Sequence, residues 1–253
     1  GRDMPAMLAQ MAQHDHASQL GWGSSLKDHW TGDIAGFDTE NAHDRHRPAG
    51  EAIDSGDYPV VVMTEMVEIR AAIRYHDSAR HLALWASRAR KARPDVQLFL
   101  YETWHQTDDP EGWLERIDRD SARYWQGDLL AGAMARDGVG TIHIIPGGPV
   151  MAATVRAIEA GAVPGMTQRD DLFALNAAGA ADNIHFNDIG AYLMALTHYA
   201  VIYQRSPQGL PHALTRADGS PVTALAADMA HALQQIVWGV VSGYSLTGVS
   251  NNG

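Results

Sequence analysis

The sequence contains no cysteine, which excludes a disulfide framework, a thiolate metal site and a cysteine nucleophile. No run approaches the roughly 20 apolar residues of a membrane-spanning helix, so no membrane span is expected. No basic-then-apolar signal peptide opens the chain. A cleaved signal would already be gone, so a soluble cytoplasmic chain and a periplasmic or secreted one both remain open. Positive charge is scarce as well: 19 Lys and Arg against 30 Asp and Glu leave a formal net charge of -11. Nucleic-acid affinity is built from clustered cations, so that class of partner is excluded. The 13 His residues are scattered without a His-x-x-x-His spacing, and no metal or cofactor is expected.

What remains is an ordinary globular composition. With 253 residues, 45% hydrophobic and 19% charged, the chain is long enough to bury a substantial core. No internal repeat, low-complexity linker or composition break divides it, so a single domain over residues 1–253 is expected.

Residues 3–14 read as a helix with Met4, Met7, Leu8 and Met11 in one apolar stripe. A short strand is expected within 17–23, and residues 28–56, rich in His, Asp, Gly and Arg, read as a surface excursion. Order returns at Pro59, where Val60, Val61, Val62 and Met63 form a continuous run typical of a strand buried on both faces. A helix over 67–92, a strand over 96–103, a helix over 111–136, a strand over 141–146 and a helix over 149–160 follow. This alternation predicts right-handed crossovers and a parallel sheet between helix layers. A helix running to Tyr203 and a final helix over 222–240 complete the pattern.

In open parallel sheets, ligands bind beyond the carboxyl ends of the strands. Thr64 and Glu65 leave one strand, and Glu102, Trp104 and His105 another. A carboxylate ending an apolar run either caps a neighbouring helix or opens into a cleft, and both readings stand for Glu65 and Glu102. Trp104 and His105 are candidates to stack on, or hydrogen-bond to, a sugar or leaving group. Glu65 and Glu102 facing each other across a cleft would instead be the acid and base of a glycoside hydrolase.

The sharpest signal is Asp182-Asn-Ile-His185, immediately before an apolar helix that Asn187 or Asp188 is placed to cap. A general base must reach the proton it takes, and a carboxylate must hold the ring in place. Asp182 and His185 on one loop satisfy both needs.

That stretch, continuing as Phe186-Asn187-Asp188-Ile189-Gly190, resembles the last block of the SGNH (GDSL-like) hydrolases. The resemblance implies a three-layer α/β/α sandwich with a flavodoxin-like, five-stranded parallel sheet. It implies a Ser-His-Asp acyl-enzyme mechanism on small esters or on acyl groups of polysaccharides, with His185 as base and Asp182 as its orienter. Gly21 or Gly23 matches the second block, which makes Gly23 an oxyanion donor. The third block, Gly-x-Asn-Asp in that family, reads Met63-Thr64-Glu65-Met66 here and lacks the Asn donor. A non-catalytic, carbohydrate-binding relative is the alternative.

The nucleophile block, Gly-Asp-Ser-Leu at the end of the family's first strand, has no match before the first helix. Three readings compete. Gly243-Tyr244-Ser245-Leu246-Thr247 is close to it, so a circularly permuted chain would make residues 240–242 the central strand, Ser245 the nucleophile and 249–253 a linker. Alternatively, the strand and its serine precede Gly1. Finally, Ser24 or Ser25 serves as nucleophile, since triads recur in different chain orders.

Overall fold

The computed structural model describes residues 1–249. Its elements are, in order, α1 (Asp3–Ala12), α2 (Leu26–Thr31), α3 (Phe37–Glu40), α4 (Ala49–Asp54), β1 (Val60–Thr64), α5 (Ile69–His76), α6 (Ser78–Ala92), β2 (Gln97–Glu102) and α7 (Trp113–Asp120). A π-helical run (Ser121–Ala131), α8 (Gly132–Met134), β3 (His143–Pro146), α9 (Gly147–Glu159), a 3-10 turn (Arg169–Leu172), β4 (Phe173–Leu175), β5 (Ala181–Phe186), α10 (Asp188–Ile202), α11 (Ala227–Gly243) and a 3-10 turn (Ser245–Thr247) follow. The protein is a mixed α/β chain with a three-stranded parallel sheet. It divides into two compact units: one of Gly1–Asp15, Trp104–Asp118 and Ile145–Gly253, the other of His16–Thr103 and Arg119–Ile144.

A parallel sheet runs in the order β1-β2-β3, with Val60 opposite Gln97 and Thr64 opposite Tyr101. Among the described residues this sheet has three strands rather than the five expected. β2 is buried from Leu98 to Glu102, as a central parallel strand should be. β1 is not buried on both faces: it is an edge strand, and Val62 is exposed.

Residues 67–92 form two helices instead of one. Asp77 adopts a left-handed backbone with φ of 51°, a conformation that Asp tolerates better than most residues. The break is stabilised by His81, whose Nδ1 lies 3.0 Å from the His76 carbonyl and 3.1 Å from that of Asp77. The expected strand over 17–23 is reduced to one bridge between Ser18 and His46. The surface excursion contains the short helices α2, α3 and α4.

The first unit is organised on α10, buried along nearly its whole length because it is apolar on every face. α1, α9 and α11 pack against it. β4 and β5 form a separate antiparallel hairpin with Phe173 opposite Phe186. α11 continues through residues 240–242, so these form helix and not the central strand of a permuted chain. The helical period of Leu233, Val237 and Val241, all buried, carries it through. Of the linker expected over 249–253, all but Val249 lies outside the described residues.

Candidate functional site

Asp182 and His185 lie on β5, on the outgoing arm of a hairpin and not on a free loop. The Asp182 side chain folds back onto its own backbone, Oδ1 accepting the amides of Ile184 at 2.8 Å and His185 at 2.7 Å. That turn brings the His185 ring round, so that Nδ1 sits 3.2 Å from Oδ1 and 3.1 Å from Oδ2. Partial burial pushes the Asp182 carboxyl up, but the two amides and the His185 ring outweigh it and hold the group below its ordinary value. An ionised carboxylate only accepts, so Nδ1 is the protonated nitrogen and Nε2 is left as the basic one. The His185 side chain is 77% exposed, whereas that of Asp182 is 25% exposed. An exposed basic nitrogen with a carboxylate behind the ring is the arrangement of a general base and its orienter.

The elements on either side fix this turn. Asn187 caps α10: its Oδ1 accepts the amides of Ile189 at 2.9 Å and Gly190 at 3.2 Å, and its Nδ2 donates to the Asp171 carbonyl at 2.9 Å. Asp188 takes Arg216 on both oxygens, at 2.9 and 2.5 Å, and accepts the Thr223 amide at 2.8 Å. Gly190 is required by space, since a Cβ there would meet the Leu172 carbonyl at 2.7 Å and the Phe186 Cβ at 2.4 Å. Of the two expected caps, Asn187 caps the helix and Asp188 anchors the loop before α11.

Trp104 and His105 belong to the same unit but are buried, 4% and 3% exposed. Both rings lie in the interior of the unit rather than at its surface. The Trp104 indole N–H donates to the Ile184 carbonyl at 3.1 Å, and the His105 carbonyl accepts the Trp113 indole N–H at 2.8 Å. Ser245 is exposed in the turn after α11. Within this unit no serine hydroxyl among the described residues hydrogen-bonds to His185, whose side chain is engaged by Asp182.

The remaining expected residues lie in the other unit. Gly23 is exposed with φ of 54°, a left-handed conformation that glycine adopts without strain. The Thr64 hydroxyl donates to the Tyr101 carbonyl at 2.9 Å. Glu65 follows β1 and Glu102 is the last residue of β2, and both are buried, 3% and 1% exposed. Glu65 Oε1 accepts the Met66 amide at 2.8 Å and the Leu26 amide at 3.3 Å, the tie to a neighbouring helix that the capping reading anticipates. Burial raises its carboxyl above the ordinary range despite those amides.

Ser25 forms a cluster that sequence reasoning did not assemble. It is the N-cap of α2, fully buried, in a reciprocal capping box with Asp28. Its hydroxyl donates to Asp28 Oδ2 at 2.8 Å, and its Oγ lies 3.0 Å from His76 Nδ1. With its proton given to the carboxylate, Ser25 accepts from the ring, the reverse of what a nucleophile needs from a base. His76 is 51 residues away in sequence, and no spacing announced it.

Comparison with models of known protein families, with curated proteins and with solved structures finds no match to this chain.

Proposed function

We propose that this protein is a serine esterase of the SGNH type, acting on an ester and, by substrate class, on an O-acyl group of a carbohydrate. The observation that carries the reading is the Asp182–His185 pair: Nδ1 on an ionised carboxylate and an exposed Nε2 free to accept a proton. In this reaction a serine hydroxyl attacks the acyl carbon while its proton passes to His185 Nε2. The tetrahedral adduct then expels the alcohol, which takes that proton. Water repeats the sequence on the acyl-enzyme and releases the acid.

Hydrolysis of p-nitrophenyl acetate by the protein and by His185→Ala tests the reading, together with labelling by a fluorophosphonate probe. The expected result is loss of turnover in His185→Ala and labelling of one serine, which peptide mapping then identifies. Unchanged turnover in His185→Ala overturns it. Absence of both turnover and labelling favours the non-catalytic, carbohydrate-binding relative.

A further inference from the structure

We propose that Trp104 is a positioning residue for the candidate base, holding the peptide backbone on which Asp182 and His185 meet. The inference rests on reading His185 as that base. Two successive peptide groups separate Asn183 from His185, and each is gripped at both ends. The first has its carbonyl, on Asn183, accepting the Thr107 amide at 2.8 Å, and its N–H, on Ile184, donating to Asp182 at 2.8 Å. The second has its carbonyl, on Ile184, accepting the Trp104 indole N–H at 3.1 Å, and its N–H, on His185, donating to Asp182 at 2.7 Å.

A peptide group is planar and turns as one body. Releasing its carbonyl therefore frees its N–H to swing away from Asp182, and the carboxylate loses both a donor and its aim at the ring. The Trp104 indole N–H is buried, and the Ile184 carbonyl supplies the acceptor it needs there. The Trp104 ring also rests on Phe186, with centroids 5.8 Å apart. The segment that makes these contacts is itself anchored. Asp109 pairs with the buried Arg116 at 2.7 Å, and Asp108 accepts the Asn183 side-chain amide at 3.0 Å. Partners 80 residues apart for Trp104 and Ile184 make this a tertiary device rather than a local one.

Trp104→Phe removes the donor and keeps an aromatic ring. The expected result is a fall in kcat of about tenfold with little change in KM, as for a misplaced catalytic group. The Asp182 carboxyl, followed by carbon-13 NMR, is expected to titrate at higher pH than in the unaltered protein. Asp188, held by Arg216 and Thr223, stays where it was and serves as the internal control, because general loosening would move both. An unshifted Asp182 titration with unchanged kcat overturns the proposal. Should Trp104→Phe not fold, exchange of the Trp104 indole proton with solvent is followed by NMR in the unaltered protein: slow exchange is expected of a donor bonded to the Ile184 carbonyl, and exchange as fast as that of the exposed Trp22 indole overturns the proposal. If the protein hydrolyses no ester, the esterase reading fails by itself, and the Asp182 titration still decides whether Trp104 holds the turn.

Discussion

The Asp182–His185 pair and the Ser25–Asp28–His76 cluster both combine His with Asp, and they use the ring in opposite senses. At Asp182–His185 the carboxylate takes Nδ1, the ring stands in solvent, and Nε2 is free. At Ser25–Asp28–His76 a single nitrogen, Nδ1, faces both the serine, at 3.0 Å, and the carboxylate, at 3.8 Å, while the serine is sealed inside a capping box. The second cluster has all three residue types of a triad and the geometry of a helix start. Residue identity proposes catalysis; which ring nitrogen each partner occupies, and who holds the proton, decide it.

The contrast is broken or sharpened most strongly at the two histidines. His185→Ala is expected to lower kcat/KM on p-nitrophenyl acetate on the order of 10³-fold, the scale of a lost general base, with the melting temperature unchanged because the ring is exposed. His76→Ala is expected to do the reverse, keeping turnover and losing about 1 kcal/mol of stability in urea unfolding, the scale of one hydrogen bond. Equal losses of turnover in the two variants would erase the distinction. Next in size is Ser25→Ala. It removes a buried N-cap and is expected to cost about 1–2 kcal/mol, read by urea unfolding, with esterase activity retained.

Glu65, whose Oε1 accepts the Leu26 amide, sharpens the structural side of the comparison. Burial raises the pH at which its carboxyl titrates in the folded protein. Its contribution to stability is therefore fully present below the ordinary carboxylate value and is lost as pH rises through the raised one. Glu65→Gln keeps an acceptor for both amides and carries no charge. It is expected to raise the melting temperature at pH 8 and to change it little at pH 4; a gain of equal size at both would contradict burial as the cause.

The smallest effect is common to both clusters. Asp28 and Asp182 are both held below the ordinary value, in each case because hydrogen-bond donors outweigh partial burial. Their stabilisation is present above about pH 4, the ordinary carboxylate value, and is lost as pH falls through the depressed one. Asp28→Asn and Asp182→Asn should each lower stability at pH 7, with the difference from the unaltered protein narrowing as the solution is acidified. A difference independent of pH would show that neither carboxylate is held as the geometry implies.

Much of the local structure was legible. The apolar helix running to Tyr203 was legible, as was a cap at Asn187 or Asp188, of which Asn187 is the one used, and the apolar runs at 60–63 and 96–103 announced parallel strands. The helical period in α11 argued against a strand at 240–242, and the helix prevailed. The break at Asp77 was not legible, because it depends on His81 satisfying the freed carbonyls. Nor was the burial of Trp104 and His105, since a residue just beyond a strand end reads the same whether it faces solvent or the interior.

By itself the sequence determined that Asp182 and His185 can meet: three residues of spacing let one carboxylate cap its own turn and reach the ring. Only the tertiary structure decided what that turn is fastened to, and which His, Ser and Asp are helix furniture. Those contacts join residues tens of positions apart, such as Trp104 with Ile184 and Ser25 with His76, and no local pattern encodes which buried donor meets which carbonyl.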